Sequence, residues 1–513
     1  MDKRFYITTP IYYPSAKPHM GHAYSSIVAD FFARFKRIDG FKVHFLTGTD
    51  EHGLKIQRAS ESKNIDPQIF CDEISQTFRN LSNTLNLSNT DFIRTTEDRH
   101  KKTVQYLWAQ LEKNDDIYLS KYSGWYSVSD EAFYTDEEIS EKEDIKIATT
   151  SGSPVEWIEE ESYFFRLSKW QDSLLEYYEN NPDFISPKSR KNEVISFVKS
   201  GLKDLSISRK AFSWGIKVPN NPEHVIYVWL DALTNYISAL NYPDTDDDLF
   251  KNFWPASLHL IGKDILRFHA VYWPAFLMAA KITLPNKVYG HGWILSGDEK
   301  MSKSKGNILD PLDIIETYGL DPLRYYLIKE VSFGNDGNIS QDRLEDCINS
   351  DLANNYGNLC QRVTAFAEKN CQSKVPDIKN FIEEDLLMLN KFSDNMPLIR
   401  KEIDNQNINY YINFIINALF EANKYFNDQE PWKKKGDTIR LNTIVYTTLE
   451  IVRKISYLLY PIIPQSSLNA LKIFNLNEND VNLTSIENNE FLPKGSKINK
   501  IDILFKKIDK NND

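Results

Sequence analysis

The chain has 513 residues, 41% of them hydrophobic and 26% charged, and a formal net charge of −11 at pH 7. This length indicates about three domains, and the acidic balance argues against a protein that coats nucleic acid by charge alone. RNA recognition through local patches and specific contacts stays open. The N-terminal segment has no apolar core of a signal peptide, and no run of about 18 apolar residues predicts a membrane span. We therefore expect a cytoplasmic protein with no membrane partner.

Four cysteines are scattered along the chain, at Cys71, Cys347, Cys360 and Cys371. None of them forms a CxxC pair, which argues against a disulfide framework and against a zinc knuckle built from cysteines. Thiols kept reduced in a cytosol fit this pattern best.

The first segments of the chain predict a strand, a helix and a second strand. Residues 4–13 (RFYITTPIYY) are rich in β-branched and aromatic residues, which is typical of a strand. From Gly21 to Asp39 apolar residues recur at helical spacing, and Gly40 ends that run. Residues 41–48 (FKVHFLTG) predict a buried strand. This order is a βαβ unit, which implies a parallel sheet.

The rest of the chain changes character three times. Residues 115–225 are acidic and rich in turns, which indicates an insertion with some β content. Residues 226–295 return to alternating strand and helix patterns, and a lysine-rich loop follows within 296–350. From 351 to 513 the patterns are helical, which predicts a separate bundle. The predicted fold class is therefore α/β followed by an all-α domain.

The stretch KPHMGHAYSS places His19 and His22 around Gly21 at the start of the predicted helix. A helix N-terminus attracts anions through unpaired N–H groups and a partial positive charge, and Gly21 lets a ligand approach the backbone. The two histidines lie near one face of the first turn and could donate hydrogen bonds to a phosphate. Considered alone, such a motif is more often a helix start whose imidazoles cap or pack.

Residues 300–307 (KMSKSKGN) alternate lysines with small hydroxyl residues and reach a glycine. A flexible cationic loop of this kind suits a polyphosphate, because lysine supplies a point charge without fixed geometry. Considered alone, a lysine cluster is usually a solvated surface loop.

Together, HxGH after the first strand and KMSKS late in an α/β fold resemble the signatures of class I aminoacyl-tRNA synthetases. Stretches spread over residues 5–345 resemble the methionyl-tRNA synthetases in particular; they include LTGTDEHGLKIQ, DLSISRKAFSWGIKVP, VIYVWLDALTNYI and HLIGKDILRFHAVYWPAFL. The resemblance implies a Rossmann-like catalytic domain in two halves (1–114 and 226–295), a connective insertion (115–225), a KMSKS and stem-contact region (296–350) and a helical anticodon-binding domain (351–513).

The resemblance also implies three sets of ligand-binding and catalytic residues in the catalytic domain. The catalytic set is His19, Gly21, His22, Lys300, Met301, Ser302, Lys303 and Ser304. The ATP set is His19, His22, Gly262, Asp264, Gly292, Trp293 and Lys303. The methionine set is Ile11, Tyr13, Asp50, Trp229, Ala232, Leu233, Tyr236, Ile265 and His269. Aromatic walls suit a flexible thioether, and Asp50 would pair with the substrate ammonium; without the family, Trp229 and Tyr236 would indicate ordinary core packing.

In the helical segment Asn358 and Arg362 lie four residues apart on one helix face, and Trp432 follows in another segment. The resemblance implies that these residues read a CAU anticodon. Unstacked loop bases need an aromatic platform and edge contacts, which Trp with Asn and Arg can supply. The implied partners are methionine, ATP with Mg²⁺, and tRNA(Met) including the initiator tRNA. No further tRNA-binding or dimerising module is seen after this domain, so we expect a monomer.

The insertion departs from the pattern of many family members. GWYSVSDEAFYTDEE and TTSGSPVEW have Ser, Asp or Gly where knuckle cysteines would stand. This resembles the metal-free subgroup, so we expect no structural zinc. Packing around Trp125, Tyr126, Phe133 and Trp157 would then stabilise the insertion.

The predicted function is that of a methionine–tRNA ligase. The methionine carboxylate would attack the α-phosphorus of ATP, and the methionyl group would then pass to the 3′-terminal adenosine of tRNA. Alternatives stay open at this point. Another class I synthetase would need a large editing insertion (for leucine, isoleucine or valine) or a catalytic-site zinc (for cysteine). A small nucleotidyltransferase would not need the helical tail, and a silent tRNA-binding paralogue would not need intact histidines and lysines.

Overall fold

The computed structural model describes residues 3–14, 17–130, 132–142, 145–296, 299–300 and 310–509. The chain forms two compact units. The first, here the sheet unit, comprises Arg4–Pro18 and Val43–His291. The second, here the helical unit, comprises Met1–Lys3, His19–Lys42 and Gly292–Asp513.

The secondary structure of the described residues runs as follows. The strands are β1 (Arg4–Tyr12), β2 (Lys42–Thr49), β3 (Asp91–Arg94), β4 (Ile117–Ser127), β5 (Ala132–Tyr134), β6 (Ile139–Lys142), β7 (Ile145–Ala148), β8 (Glu156–Phe165), β9 (Ile185–Ser186), β10 (Leu205–Ser206), β11 (Ser208–Arg209), β12 (Lys217–Val218), β13 (Asn221–Ile226), β14 (Leu258–Gly262), β15 (Val288–His291), β16 (Ile294–Ser296), β17 (Glu299–Lys300) and β18 (Gly337–Ile339). The α-helices are α1 (Met20–Ile38), α2 (Leu54–Ser62), α3 (Pro67–Thr84), α4 (Asp98–Lys113), α5 (Gln171–Asn180), α6 (Lys188–Lys199), α7 (Val228–Leu233), α8 (Asn235–Ser238), α9 (Asp248–Phe253), α10 (Trp273–Ala279), α11 (Pro311–Tyr318), α12 (Leu320–Glu330), α13 (Gln341–Cys347), α14 (Asn358–Asn370), α15 (Glu383–Asp404), α16 (Ile408–Asp428), α17 (Thr438–Leu459), α18 (Pro464–Leu471) and α19 (Leu483–Glu487). Short 3₁₀ segments lie at Asp136–Glu138, Leu167–Trp170, Lys263–Ile265, Pro431–Lys433, Lys472–Phe474 and Glu478–Asp480, and π-helical turns lie at Phe268–Tyr272 and Ile348–Gly357.

The sheet unit is built on a sheet of strand order β3-β2-β1-β14-β15-β9. The pairings of β1 with β14, β14 with β15, β15 with β9 and β2 with β3 are all parallel. The central strands are buried because helices cover their faces, so they consist largely of apolar and β-branched residues. The parallel sheet predicted from the first βαβ segments is therefore confirmed.

The insertion forms an antiparallel sheet of order β10-β8-β4-β5 and a β6-β7 hairpin. Trp125 on β4 lies opposite Trp157 on β8, with ring centroids 5.1 Å apart in an edge-to-face contact. Tyr126 is buried in a small cluster with Leu54, whereas Trp157 remains 48% exposed. The Phe133 side chain lies outside what the structure describes.

Hydrogen bonds centred on Asp130 link the two stretches in which knuckle cysteines are replaced. The carboxylate accepts hydrogen bonds from Tyr134 Oη at 2.7 Å, Ser151 Oγ at 2.5 Å and Ser153 Oγ at 2.7 Å. Its backbone N–H donates to Ser127 Oγ at 3.3 Å. Burial and the Asp130 carboxylate raise the pKa of Tyr134 to about 12, so its hydroxyl remains a donor at neutral pH.

The helical unit contains α1 as well as the C-terminal bundle of α14 to α17. The Asp30 carboxylate of α1 is fully buried. It accepts hydrogen bonds from Arg34 Nε at 2.8 Å and Arg324 Nη2 at 2.7 Å. Arg324 also donates to the carbonyl oxygens of Ile462 at 2.8 Å and Pro461 at 3.1 Å. This buried network fixes α1 against the bundle.

Candidate active site

Predicted methionine and ATP residues follow the carboxyl ends of adjacent strands of the parallel sheet. Ile11 and Tyr13 lie at the end of β1, Asp50 follows β2, and Gly262 ends β14. In open α/β sheets this edge is where ligands bind, because the loops after the strands form a crevice there. The topology therefore places these residues of the sheet unit at one edge.

Tyr236 and His269 form a buried polar pair in the sheet unit. Tyr236 Oη lies 2.7 Å from His269 Nε2, and His269 Nδ1 lies 3.0 Å from the Ile265 carbonyl oxygen. A carbonyl only accepts, so the ring hydrogen lies on Nδ1, and Nε2 accepts from the tyrosine. Burial lowers the pKa of His269 to about 4, so the ring is neutral at pH 7. His269 occupies a π-helical turn, Phe268–Tyr272.

Trp229 provides an aromatic wall beside this pair. Its ring stacks on Phe268 at 3.6 Å and meets His269 edge-on at 6.3 Å. Its Nε1 is buried and has no hydrogen-bond partner among the residues that the structure describes. Ala232 and Leu233 are buried on the same helix, α7. The predicted residues Ile11, Tyr13 and Ile265 are partly buried against the same apolar core as Trp229.

The loop after β2 carries Asp50 and is held by several hydrogen bonds. The Asp50 side chain is buried, and its backbone N–H donates to the Tyr12 carbonyl at 2.9 Å. The neighbouring Glu51 carboxylate accepts from Arg94 Nε at 2.7 Å and Nη2 at 2.9 Å. Tyr13 Oη donates to the His52 carbonyl oxygen at 2.9 Å. Such a loop presents its carboxylate in a fixed position.

His19 and His22 begin α1 in the helical unit as a reciprocal cap. Gly21 N donates to His19 Nδ1 and His19 N donates to His22 Nδ1, both at 3.1 Å. In the neutral rings the hydrogen then lies on Nε2. Desolvation, and then His19, hold the pKa of His22 well below its ordinary value. A Cβ on Gly21 would come within 3.0 Å of the His19 ring, so this position favours glycine.

The other predicted ATP and catalytic residues fall in different places. A Cβ on Gly262 would lie 2.5 Å from Asp264 Oδ1. A Cβ on Gly292 would lie 2.1 Å from the Asn335 carbonyl oxygen, and Trp293 N donates to Asp336 Oδ1 at 2.8 Å. Close packing against the backbone of Asn335 therefore requires glycine at position 292, whether or not it binds ATP. Lys300 ends β17, but its side chain and Met301, Ser302, Lys303 and Ser304 lie outside the described residues.

Two of the predicted anticodon residues, Arg362 and Trp432, contact Phe426 in the helical unit. The Arg362 guanidinium lies 5.4 Å from the Phe426 ring, and the Trp432 ring lies 6.3 Å from it in an edge contact. Arg362 Nη2 donates to Asn427 Oδ1 at 2.6 Å. Asn358 is exposed one turn before Arg362 on α14, and Trp432 is 41% exposed. An exposed indole beside a fixed guanidinium can stack on an unpaired base.

Comparison with known proteins decides the family. A family model described as tRNA synthetases class I (M) matches residues 5–146 and 141–364, and one described as the anticodon binding domain of methionyl tRNA ligase matches 375–513. The chain belongs to the methionyl-tRNA synthetase family. It is 51% identical to the methionine–tRNA ligase of Rickettsia felis over 99% of both chains, and 51% identical to that of Brucella melitensis over 92% of both.

Solved structures of the family agree with this assignment. The chain matches Mycobacterium tuberculosis methionyl-tRNA synthetase in complex with methionyl-adenylate with a TM-score of 0.96 and 44% identity, over 98% of this chain and 99% of that one. It matches the apo form of that enzyme with a TM-score of 0.90 and 41% identity, over 99% of both chains. The predicted family and fold class are confirmed, and the other class I synthetases and the small nucleotidyltransferase are set aside.

Two further results bear on this family member. Within the described ranges, no group of three or more His, Cys, Asp or Glu side chains is arranged to hold a metal ion. No helix in the same ranges is long and apolar enough to cross a membrane. The sequence patterns did not single out Phe268, Asn427 or the pairing of His52 with Asp231. Phe268, His52 and Asp231 lie inside stretches that resemble the family, whereas Asn427 lies outside them and had no such signal.

Proposed function

We propose that the chain is an ATP-dependent ligase that joins methionine to tRNA(Met). Methionine carboxylate attacks the α-phosphorus of ATP to give methionyl-adenylate and pyrophosphate. The methionyl group is then transferred to a hydroxyl of the 3′-terminal adenosine of tRNA, and AMP is released. The observation that carries the proposal is the side-chain cluster of Trp229, Tyr236 and His269. Tyr236 and His269 are hydrogen-bonded to each other, so the aromatic and apolar groups of the cluster are suited to contact a thioether.

The methionine set has complementary roles in this proposal. Asp50 binds the substrate ammonium through a charge-assisted hydrogen bond, and Trp229 with Tyr236 and His269 contacts the side chain. Ile11, Tyr13, Ala232, Leu233 and Ile265 complete the apolar lining. The buried loop that holds Asp50 supports this role, because a fixed carboxylate loses little entropy when it binds a cation.

The phosphates of ATP are assigned to the two signature motifs. A carboxylate is already a nucleophile, so the first step needs positioning and charge stabilisation instead of a general base. His19 and His22 donate from Nε2 to the phosphates, and the capping hydrogen bonds on Nδ1 support that tautomer. Lys300 and Lys303 neutralise the β- and γ-phosphates. Gly262, Asp264, Gly292 and Trp293 hold the nucleoside of ATP.

Mg²⁺ is proposed to arrive with ATP. Such an ion is held mainly by phosphate oxygens and water. When bound, it neutralises charge on the phosphates.

The helical unit is proposed to read the anticodon through Asn358, Arg362 and Trp432. The family model for this domain matches residues 375–513, and the predicted helical domain starts at 351.

We extend the proposal to a monomer in the cytoplasm that charges both initiator and elongator tRNA(Met). Light scattering after gel filtration should then give the mass of one chain, and the mass of two chains would contradict a monomer.

The decisive test is exchange of labelled pyrophosphate into ATP, run with each standard amino acid in turn and without tRNA. Exchange with methionine alone is expected, because the thioether fits the pocket and charged or bulky side chains do not. Exchange with a different amino acid would overturn the pocket assignment. Silence with every amino acid, together with intact tRNA binding, would indicate a paralogue that only binds tRNA.

A further inference from the structure

A fully buried carboxylate joins two imidazoles in the sheet unit. Asp231 Oδ2 lies 2.7 Å from His52 Nδ1, and Asp231 Oδ1 lies 2.7 Å from His100 Nε2. His100 Nδ1 in turn lies 2.8 Å from Ser238 Oγ. Asp231 and His100 are 0% exposed and His52 is 4% exposed. Burial raises the pKa of Asp231, but the two histidines outweigh burial and hold it below its ordinary value. The group is therefore an ionised carboxylate at neutral pH.

The His52 residue connects this carboxylate to the loop that carries Asp50. Its ring is bonded to Asp231, and its backbone carbonyl accepts the Tyr13 hydroxyl at 2.9 Å. Its ring also meets Trp214 edge-on at 5.6 Å. His52 lies two residues after Asp50 in the chain, so its hydrogen bond to Asp231 helps to fix the loop backbone that carries the Asp50 carboxylate.

Asp231 itself lies on α7 between Trp229 and Ala232. Those neighbours belong to the proposed side-chain pocket, whereas the Asp231 side chain is bonded to His52 and His100. One carboxylate thus joins the helix that contacts the thioether to the loop that binds the ammonium. An apolar residue would fill the same space at lower desolvation cost, since buried ion pairs add little stability. The carboxylate instead provides directional hydrogen bonds that orient His52 and His100 relative to α7.

We propose that Asp231 is a positioning residue for methionine, which sets the distance between the ammonium-binding carboxylate and the thioether pocket by way of His52. The inference rests on the proposed function, because it assigns Asp50 to the ammonium and Trp229 to the side chain. Asp231 does not touch methionine. Its effect should appear in methionine binding and not in ATP binding.

Asp231→Asn in the full chain tests this role, with KM for methionine and KM for ATP measured separately by pyrophosphate exchange. The expected result is a rise in KM for methionine of about tenfold, since charged hydrogen bonds are the strong ones, with KM for ATP within about twofold. Asp116→Asn is the matched control. Asp116 is 1% exposed in the same unit and accepts from Lys169 Nζ at 2.8 Å, but it is not bonded to the pocket. Asp116→Asn should leave both constants within about twofold.

A pair of His52 variants separates positioning from simple folding. His52→Ala removes the bond and should raise KM for methionine as Asp231→Asn does, whereas His52→Asn places an amide nitrogen near the position of Nδ1 and should recover most of the affinity. Should Asp231→Asn fail to fold, this pair gives the answer alone. Unchanged KM for methionine in Asp231→Asn, a joint rise of both constants, or equal defects in the two His52 variants would overturn the inference. Absence of methionine-dependent exchange in the unmodified chain would instead overturn the proposed function.

Discussion

Tyr236→Phe removes a single oxygen atom from the buried pair at the centre of the proposed pocket. Tyr236 and His269 are 1% and 2% exposed, and the hydroxyl is 2.7 Å from Nε2. Because Nδ1 donates to the Ile265 carbonyl at 3.0 Å, Nε2 is the accepting nitrogen. The substitution therefore deprives a buried acceptor of its donor without changing the shape of the aromatic ring.

The size of the effect follows from what methionine can supply. A buried acceptor left without a donor costs about 1–3 kcal/mol. In the free variant a water molecule can enter the pocket and donate to Nε2. The methionine side chain has no N–H or O–H, so it displaces that water without replacing its hydrogen bond. The cost falls on binding, and KM for methionine should rise about tenfold, since 1.4 kcal/mol corresponds to a factor of ten.

Pyrophosphate exchange with varied methionine and saturating ATP measures this directly. Tyr236→Phe/His269→Phe is the informative companion, because replacing both partners by apolar groups leaves no unsatisfied nitrogen. The double variant should bind methionine more tightly than Tyr236→Phe does. An unchanged KM for methionine in Tyr236→Phe would refute the assigned tautomer and the reasoning built on it. A double variant whose loss of methionine binding equals the sum of the losses in Tyr236→Phe and His269→Phe would refute them as well.

Three further predictions concern the helical unit. Arg324→Leu should lower the free energy of unfolding by about 3–5 kcal/mol in urea titrations, because it removes a fully buried guanidinium from Asp30. A loss below about 1 kcal/mol would contradict the structural role given to the Asp30 hydrogen bonds. Trp432→Ala should lower kcat/KM for tRNA charging about tenfold or more, the value of one stacked base, and spare pyrophosphate exchange; collapse of exchange would make Trp432 a folding residue. Burial lowers the pKa of Lys454 to about 8, so between pH 8 and the ordinary lysine pKa near 10.4 the unfolded chain holds more protons. The stability of the unmodified chain relative to Lys454→Met should therefore rise with pH across that window, and a flat difference in thermal melts would contradict the shift.

Local patterns were enough to predict the β1–α1–β2 segment and the parallel sheet. Strand and helix periodicities are carried by neighbouring residues, and the parallel arrangement follows from chain connectivity. The HxGH motif shows where local reasoning stops. From the sequence, capping and phosphate binding were alternatives for the two histidines. In the structure Nδ1 of each ring accepts a backbone N–H, which places the hydrogen of each neutral ring on Nε2, so capping through Nδ1 is compatible with the proposed phosphate role.

The buried ionic groups could not be predicted, because their members are far apart in the chain. Asp231 is separated from His52 by 179 residues and from His100 by 131, and Arg324 is 294 residues from Asp30. No periodicity links such positions, and without an aligned family a lone Asp in WLDAL indicates only a helix residue. The same holds for the Asp130 hydrogen bonds, which join two stretches that the sequence marked only by their lack of cysteine.

These buried charges share a property that bears on function. Each unit buries an aspartate bonded to two basic side chains, and each aspartate lies on a helix associated with proposed binding residues. Asp231 lies on α7 with Trp229, and Asp30 lies on α1, which is capped by His19 and carries His22 in its first turn. Desolvating such groups brings little net stability, whereas their directional hydrogen bonds allow only one orientation of the helix. Catalysis by positioning and charge stabilisation needs that kind of accuracy. We infer that the polar cores of both units contribute more to the geometry of ligand binding than to the free energy of folding. Replacing a whole network by apolar residues would separate these two contributions, because the free energy of unfolding should persist while KM for the substrate rises.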